Sequence, residues 1–527
     1  MNILLIYPEC PQTFWSYTHA LWFIDKKAVA PPLGLLTVAA LLPVQWGKRL
    51  VDLNVTTLTN RDLSWADYVF ISGMSIQREA ARRLIARCKA AGKKVVGGGP
   101  LFTAEYAMFQ GVDHFILNEA ELTLPPFLAD LERGCPQRLY RTREFADLSV
   151  SPTPRWELVD LKQYAYMGIQ YSRGCPYDCD FCNVTALLGR RPRLKSGKQI
   201  TAELEALHQA GWREPLFFVD DNLIGDRPAV RHDLLPALIA WQKSHGPVSL
   251  MTQVSINLAD DPQLMQIMAK AGFDAVFVGI ETPDADSLAE CRKNHNQHRD
   301  LVGDIARLHR AGLEVQGGFI LGFDHDTPAS FQRMIDFIQH SGVVTAMVGL
   351  LQSAPGTRLH QRLGNEGRLL GLSTGDNADG TTNIAVRMGV EELRQGYAGV
   401  LKQIYSPRLY YQRIRTFLRA YRPPTTWGMF RSGRLRPLLR VVYRMGIVGG
   451  ARAEFWKLMV WTILRHPLLI VPALRKAVCG LHYRKVLENR VLPNIAAQLV
   501  TPPTELEAAA LPESALRGLA LGFADQR

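Results

Sequence analysis

The stretch Gln170-Tyr-Ser-Arg-Gly-Cys-Pro-Tyr-Asp-Cys-Asp-Phe-Cys-Asn183 holds three cysteines, Cys175, Cys179 and Cys182, within eight residues. No fourth cysteine lies near them in the sequence. A closed structural zinc site needs four ligands, and so does an ordinary electron-transfer iron–sulfur cluster. Three thiolates on a four-iron cluster leave one iron open, so the spacing indicates a catalytic metal site. There are two alternatives. The cysteines form a zinc site that a distant fourth ligand completes, or they are three buried thiols.

The chain around this stretch is long and poor in cysteine. Its 527 residues predict two to four domains with substantial cores. Its opening segment Met1–Tyr7 lacks the basic and apolar regions of a secretion signal and is typical of a first strand. We therefore expect a cytoplasmic protein, in which clustered cysteines bind metal more often than they form disulfides.

Residues 1–140 alternate short apolar runs with helical stretches such as 78–91. This pattern predicts an α/β domain with a doubly wound (Rossmann-like) parallel sheet and helices on both faces. Ligands of such sheets bind beyond the carboxyl ends of the strands. The strands are predicted at Ile3–Tyr7, Tyr68–Ser72, Lys94–Val96 and His114–Leu117, and the residues at their carboxyl ends include Ser72, Gly97, Gly98, Gly99 and Glu119.

A second strand–helix series follows a proline-containing linker at residues 141–165 and occupies residues 166–400. Six strand–helix units are typical of a partial (β/α)6 barrel, whose chemistry takes place at the carboxyl ends of its strands. The first strand runs directly into the cysteine stretch, which is where barrel chemistry is expected. The predicted strands lie near 168–172, 215–219, 249–254, 275–280, 314–320 and 346–350.

Other strands of this series also end in polar residues. Besides the cysteine stretch after the first strand, Val219-Asp-Asp-Asn222 follows the second strand and Ser255 follows the third. Gly279-Ile-Glu-Thr-Pro283 ends the fourth, and Gly317–Asp324 ends the fifth. One polar strand end is more often a helix cap or a turn. Five around one face of a barrel favour a ligand site.

These features together resemble one branch of the radical S-adenosylmethionine (SAM) superfamily, in which a cobalamin-binding domain precedes the barrel. The resemblance runs from residue 1 to about residue 420. It is closest to the hopanoid C-2 methylases, and magnesium-protoporphyrin oxidative cyclases are more distantly similar. The matching segments are Pro31–Leu36, Tyr171–Cys175, Phe218–Asn222, Gly279–Thr282 and Gly322–Asp326.

The resemblance implies that the three cysteines hold a 4Fe–4S cluster whose open iron binds SAM. One electron from a partner of the flavodoxin or ferredoxin type then splits SAM into methionine and a 5′-deoxyadenosyl radical. Several strand-end residues could take the SAM contacts. The family pattern places Phe181 by the adenine, Asp220, Asp221 and Asn222 near the SAM amino group, and Ser255 and Glu281 near the ribose and carboxylate.

The resemblance also implies cobalamin in the first domain, near Ser72, Gly97–Gly99 and Glu119. Many cobalamin domains offer a histidine to cobalt from an Asp-x-His-x-x-Gly motif. The sequence has no such motif, because its second strand reads Val51-Asp-Leu-Asn54 and His114 lies in an apolar run. We expect cobalamin bound without a histidine ligand. A domain that has lost its cobalamin is the alternative.

The net charge of +12 comes from one segment of the chain. Residues 401–490 hold 19 Lys and Arg against two acids, and the rest of the chain is net negative. We predict a basic helical domain at residues 401–500 that lies on an anionic membrane surface, on the inner face of the membrane. Nucleic acid is the less favoured partner, because leucine, isoleucine and tryptophan are dense in this segment. The simplest alternative is a helical domain that packs on the barrel and binds no partner. Residues 501–527 read as a linker and loose tail.

The sequence therefore predicts a cobalamin-dependent radical SAM C-methyltransferase that acts on an unactivated carbon of a hydrophobic, hopanoid-like substrate. A radical is needed because such a carbon has no lone pair to attack the SAM methyl group. The alternatives are a radical SAM oxidative cyclase or rearrangement enzyme and, more remotely, a zinc-containing RNA-binding protein.

Overall fold

The first domain contains a parallel sheet, as the alternating pattern predicts, and the sheet has six strands. The computed structural model describes residues 1–423 and 435–500. The strands are β1 (Asn2–Tyr7), β2 (Gly47–Asp52), β3 (Tyr68–Ser72), β4 (Lys94–Gly98), β5 (His114–Ile116) and β6 (Leu139–Tyr140). Their order is β2-β1-β3-β4-β5-β6, so the winding direction reverses between β1 and β3. Ligands of doubly wound sheets bind at this reversal. The edge strand β6 is not predicted, because two residues carry no periodic signal.

Helices cover both faces of this sheet because successive strand residues point to opposite sides. Ile3 and Leu5 pack with one helical layer, whereas Leu4 and Ile6 pack with the other. Helices α2 and α6 form the first layer, and α3, α4 and α5 form the second. The helices of this part of the chain are α1 (Thr18–Leu21), α2 (Leu33–Leu41), α3 (Asn60–Trp65), α4 (Arg78–Ala90), α5 (Pro100–Glu105) and α6 (Ala120–Glu132).

The second sheet is also parallel and contains all six predicted barrel strands. They are β7 (Met167–Ile169), β10 (Leu216–Phe218), β11 (Leu250–Gln253), β12 (Phe273–Glu281), β13 (Glu314–Leu321) and β14 (Ala346–Leu350), and they lie side by side in chain order. This order is that of a partial barrel. Two further short strands, β8 (Ser172–Arg173) and β9 (Arg193–Leu194), pair antiparallel and close the loop that carries the three cysteines.

Helices connect the barrel strands and cover their outer side. Several begin with a side-chain cap, as α8 does where the Ser196 hydroxyl accepts from the backbone N–H of Gln199. These helices are α7 (Val184–Leu188), α8 (Gly197–Gln209), α9 (Arg227–Ala229), α10 (Leu235–His245), α11 (Pro262–Lys270), α12 (Ala285–Glu290), α13 (Leu301–Arg310), α14 (Pro328–Ser341) and α15 (Arg358–Asn365).

The basic C-terminal region is helical, as expected, and shares one hydrophobic core with the barrel. Not all of its basic residues face solvent: Arg413 and Lys476 are buried, and Lys476 pairs with Glu314 at the start of β13. None of the described helices is long and apolar enough to cross a membrane. The helices are α16 (Val390–Ile404), α17 (Pro407–Ala420), α18 (Leu435–Val441), α19 (Arg452–Arg465), α20 (Ile470–Val486) and α21 (Leu492–Val500). The predicted tail at 501–527 lies outside the described residues.

The last helices also hold the segment that follows β1. His482 Nε2 donates to the backbone carbonyl of Thr13 at 3.1 Å, and the hydroxyls of Tyr17 and Tyr483 are 2.9 Å apart. Residues near the two ends of the described chain therefore pack against each other.

The carboxyl edges of the two sheets face each other. Glu121, which follows β5, pairs with Arg173 at the exit of β7. Arg78, which begins the helix after β3, donates to the backbone carbonyl of Ser373 at 2.7 Å. A ligand on the carboxyl edge of the first sheet would consequently face the cysteine loop.

Candidate active site

The cysteine loop leaves β7 at the carboxyl edge of the barrel and turns sharply at Gly174. Gly174 has φ +94°, and a Cβ there would lie 2.8 Å from the carbonyl oxygen of Arg191 and 3.0 Å from those of Leu188 and Gly189. Only glycine fits this turn. The backbone N–H of Cys175 donates to the carbonyl oxygen of Gly189 at 3.2 Å, so the turn fixes the position of the first cysteine.

Burial raises the pKa of all three thiols, that of Cys182 to about 12. The nearby Lys293 ammonium acts in the opposite direction on each of them. A metal that replaces the thiol protons would relieve the cost of ionising buried sulfur. The donor set of three partly buried thiols beside one cation therefore suits metal binding.

The spread of the sulfur atoms distinguishes a cluster from a single ion. In the described part of the chain, only Glu205, His208 and His245 bring three metal-ligating atoms within 4.8 Å of one another. At least one pair of the three cysteine sulfurs is consequently more than 4.8 Å apart. Zinc with bonds to sulfur of about 2.3 Å would need them within about 4.6 Å. The arrangement fits a multi-iron cluster better than one zinc ion.

Asp220 lies at the exit of β10 and is fully buried. Its carboxylate accepts from the backbone N–H groups of Tyr171 and Ser172 and from the Ser172 hydroxyl. These bonds hold the two residues that lead into the cysteine loop. Burial raises the pKa of Asp220 to about 7, against the opposing effect of these donors. Asp220 therefore positions the loop, and its oxygens are already engaged by protein donors.

Asp221 is arranged differently. Its Oδ2 is buried and has no hydrogen-bond partner, and burial raises the pKa of the carboxyl group to about 6. An unpartnered buried carboxylate oxygen is costly unless a donor or a cation approaches it. Asp221 is thus suited to receive a cationic group such as the amino group of SAM.

Asn222 and Ser255 form a polar bridge between the ends of β10 and β11. The Ser255 backbone N–H donates to Asn222 at 3.2 Å, and the Ser255 hydroxyl donates to Asn257 at 2.7 Å. Asn257 in turn donates to the Tyr177 hydroxyl at 2.8 Å. Because Tyr177 belongs to the cysteine loop, these residues tie the loop to the neighbouring strand ends.

Glu281 lies at the end of β12 with φ +66°, which is strained for a residue with a side chain. It accepts from Lys293 at 2.7 Å. Burial lowers the pKa of Lys293, but Glu281 and Cys179 outweigh that effect and hold it above its usual value. Lys293 is a site residue that the sequence did not reveal, since a lone lysine after a helix follows no pattern.

Phe181 belongs to the cysteine loop and directly precedes Cys182. Its ring centroid is 6.4 Å from that of Phe323, which follows β13. Phe181 and Phe323 line a small cavity together with Asp180, Glu290, Cys291, Leu351, Leu359 and Arg362. This lining combines apolar side chains with two carboxylates and one guanidinium. Its assignment to the adenine stays a prediction.

The glycines expected at the cobalamin site have partners within the first domain. A Cβ at Gly98 would lie 2.9 Å from the carbonyl oxygen of Ile116. A Cβ at Gly99, with φ +82°, would lie 2.2 Å from the Ser72 hydroxyl, and one at Gly97 would lie 3.0 Å from the Phe102 ring. The backbone contact accounts for Gly98, the positive φ accounts for Gly99, and the Phe102 ring leaves little room at Gly97, so a ligand is not needed to explain these glycines. Ser72 lies at the reversal of strand order, where a ligand is expected.

The carboxylate of Glu119 pairs with residues beyond the first domain. It pairs bidentately with Arg193 at 2.6 and 2.7 Å and accepts from the backbone N–H of Ala146 at 2.6 Å. With Glu121 and Arg173 it forms a cluster of two carboxylates and two guanidiniums between the domains. The sequence placed Glu119 at a strand end but gave no sign of its partner 74 residues away.

His114, one of the two histidines of the first domain, lies away from the carboxyl edge of the sheet. His114 begins β5, at the amino end of the sheet, and its Nδ1 is 2.7 Å from the carbonyl oxygen of Gln137. His19 lies in α1, where its ring is 5.6 Å from that of His482. A corrinoid on the carboxyl edge would not find His114 there.

Two protein families match this chain. Residues 169–338 match the radical SAM superfamily. Residues 357–492 match a domain of unknown function, DUF4070. The first match contains the three cysteines and the strand ends around them.

Relatives match over most of their length. An uncharacterized methyltransferase from Synechocystis is 40% identical over 88% of this chain and 88% of its own. The hopanoid C-2 methylase of Rhodopseudomonas palustris is 33% identical over 88% of this chain and 90% of its own. Among solved structures, the cobalamin-dependent SAM radical enzyme OxsB with aqua-cobalamin bound has a TM-score of 0.59 at 14% identity, covering 99% of this chain and 84% of its own.

Proposed function

The chain belongs to the radical SAM superfamily, in the branch of the hopanoid C-2 methylase, and we propose that it uses cobalamin to methylate an unactivated carbon of a hydrophobic, hopanoid-like lipid. The two relatives described above are a methyltransferase and a methylase by name. The observation that carries the proposal is the three-cysteine loop at the carboxyl end of the first barrel strand, facing the carboxyl edge of a doubly wound domain.

Cys175, Cys179 and Cys182 would hold the 4Fe–4S cluster, and Asp221 would receive the SAM amino group through its unpartnered Oδ2. When bound, cluster and SAM supply a radical able to remove hydrogen from carbon. The protein's own part is to hold the cysteine loop. Asp220 fixes the approach to that loop, and Tyr177 ties its middle to Asn257. Lys293 stabilises the thiolates.

Cobalamin would lie on the carboxyl edge of the first sheet, at the reversal of strand order by Ser72. When bound, it supplies the methyl group that a carbon radical can accept. The facing edges of the two sheets support this placement, because they direct both cofactors into one space. The lack of an Asp-x-His-x-x-Gly motif and the position of His114 at the amino end of β5 support a corrinoid without a histidine ligand.

The surface of the last helices supports a lipid substrate. Leu464 and Leu468 are 75% and 67% exposed, and Leu439, Tyr443, Ile447, Val460 and Ile463 are also exposed. Trp22 lies beside this surface, where the Arg440 guanidinium is 5.2 Å from its ring. Exposed apolar side chains among arginines suit the boundary between lipid head groups and chains. We propose that this apolar surface rests on an anionic membrane on the cytoplasmic side and draws its substrate from it.

The outer side of the cysteine loop supports an acidic electron donor of the flavodoxin or ferredoxin type. Asp178, between the first two cysteines, is within 4 Å of the guanidiniums of Arg190, Arg292 and Arg358. Asp180 also lies 4.0 Å from Arg292, so three guanidiniums, each about half exposed, outnumber two carboxylates. This arginine rim would attract an acidic protein to the point nearest the cluster.

Anaerobic turnover with SAM, a reductant and membrane lipids tests the proposed reaction. We expect 5′-deoxyadenosine and S-adenosylhomocysteine to accumulate together, and a lipid product heavier by one methylene. Cys175→Ala should form neither, whereas the control Cys135→Ala, at an exposed position, should form both. Deoxyadenosine without homocysteine product would favour a cyclase or a rearrangement. Purified protein with zinc in place of iron and sulfide would favour the RNA-binding alternative.

A further inference from the structure

A second group of metal-ligating side chains lies on the outer helices of the barrel. Glu205 and His208 are three residues apart on α8 and therefore share one face of that helix. His245 is the last residue of α10, which packs against α8. One ligand atom from each of these residues lies within 4.8 Å of the other two, and all three side chains are partly exposed.

The hydrogen bonds of His245 fix which of its nitrogens faces the group. Its Nδ1 is 3.0 Å from the backbone carbonyl of Trp241, to which it donates because a carbonyl oxygen only accepts. Nε2 of the neutral ring then carries a lone pair, and it lies 3.0 Å from Oε2 of Glu205. Two acceptors at this distance require a cation between them, either a proton or a metal ion.

The distances suit a metal ion. Two ligands that are each 2.0–2.1 Å from one zinc ion can lie 3.0 Å apart. The other oxygen of Glu205 accepts from Gln209 at 3.0 Å, which leaves Oε2 for the ion. A ligating histidine usually donates its other ring N–H to a carbonyl or carboxylate, as His245 does here.

Aromatic contacts hold the two imidazoles in place before any ion binds. The Trp241 ring stacks on His245 with centroids 4.6 Å apart and an interplanar angle of 11°. His208 meets His245 edge-on, also at 4.6 Å. Because the rings fix one another, little side-chain freedom remains to be lost on binding.

We propose that Glu205, His208 and His245 bind a divalent transition-metal ion, best matched by Zn²⁺, that links α8 to α10. Two histidines and one glutamate supply three protein ligands, and solvent completes the coordination. The group lies at the carboxyl ends of both helices, which lead into the amino ends of β10 and β11. It is therefore on the side of the barrel opposite the cysteine loop, where barrels carry stability rather than catalysis.

The test uses the holoenzyme with its cluster in place, so that the cysteine thiols are occupied. Zn²⁺ alone is added after a mild chelator wash, and bound zinc and iron are counted per chain together with the thermal midpoint. We expect one zinc per chain and a midpoint several degrees higher, since a ligand that binds only the folded state stabilises it. His208→Gln and His245→Gln should each weaken zinc binding by about tenfold or more without lowering the iron count.

His232→Gln is the matched control, because His232 is exposed on the helical run just before α10 and lies outside the group. It should bind zinc as the wild type does. If a histidine variant fails to fold, Glu205→Gln replaces it as the test. The proposal is overturned if wild-type holoenzyme binds no zinc, or if the double variant His208→Gln/His245→Gln retains the zinc of the control.

Discussion

Arg173 and Glu121 form a bidentate ion pair, at 3.0 and 2.8 Å, that joins the end of the first domain to the turn just before Cys175. Both side chains are nearly buried. The position of the first cysteine therefore depends on a carboxylate more than fifty residues earlier in the chain.

Replacing Glu121 should loosen this turn. Glu121→Gln leaves Arg173 with only the more distant Glu119, at 3.7 Å and shared with Arg193, and breaking a buried ion pair costs about 3 kcal/mol. We expect a lower unfolding midpoint and fewer iron atoms per chain after cluster assembly. Glu144→Gln, at an exposed position, is the control. Equal iron content in the two variants would show that the pair does not support the cluster loop.

Gly174 offers a cleaner test of the same loop. Gly174→Ala combines left-handed strain, about 1–2 kcal/mol, with contacts of 2.8–3.0 Å to three carbonyl oxygens. Gly211→Ala carries similar strain, at φ +89°, but its Cβ would meet nothing within 4 Å. We expect the first variant alone to lose cluster absorbance. A similar loss in both would assign the effect to strain alone and not to the crowded turn.

Asp220 should make stability depend on pH. Burial raises its pKa from 3.8 to about 7. Because the folded-state value exceeds the unfolded one, the associated stability is complete below about pH 4 and is lost as the pH rises through 7. Between pH 5 and pH 8 the loss is about 3 kcal/mol. Denaturant unfolding of Asp220→Asn should show a shallower decline over this range, and an unchanged slope would contradict the assignment.

The apolar surface of the last helices should govern lipid binding. Leu464→Glu/Leu468→Glu removes two exposed leucines, each able to contribute about 1.5–3 kcal/mol when buried. We expect binding to anionic liposomes to weaken by at least about a hundredfold in co-sedimentation. Val44→Glu, at a first-domain position that is 85% exposed, should leave binding unchanged. Wild-type protein that fails to sediment with any liposome would remove the membrane proposal.

The arginine rim should control reduction by a protein donor. Arg190→Glu/Arg358→Glu reverses two of the three charges around Asp178. Reduction of the cluster by an acidic flavodoxin should slow by about tenfold or more at low salt. Reduction by dithionite should not change, and Arg61→Glu in the first domain should behave as wild type. If flavodoxin reduces the variant as fast as the wild type, the electron donor docks elsewhere on the protein.

The architecture is readable from the sequence because its signals are local. Short apolar runs bounded by turns mark all six barrel strands, and the cysteine stretch follows the first of them directly. Partnerships between distant residues leave no such trace. Lys293 reaches the thiols, and Arg193 reaches Glu119, only when the chain has folded. Arg413 and Lys476 count as surface charge in the sequence, yet the structure buries both.

The contacts of His482 and Tyr483 with residues 13–17 have a consequence for synthesis. Those partners are more than 460 residues apart in the chain. A ribosome that adds about 5–20 residues per second needs on the order of half a minute to a minute and a half to cover that distance. Throughout that time Phe14 and Tyr17 lack their native neighbours. The nascent amino-terminal arm is thus a natural target for chaperones until the last helices emerge.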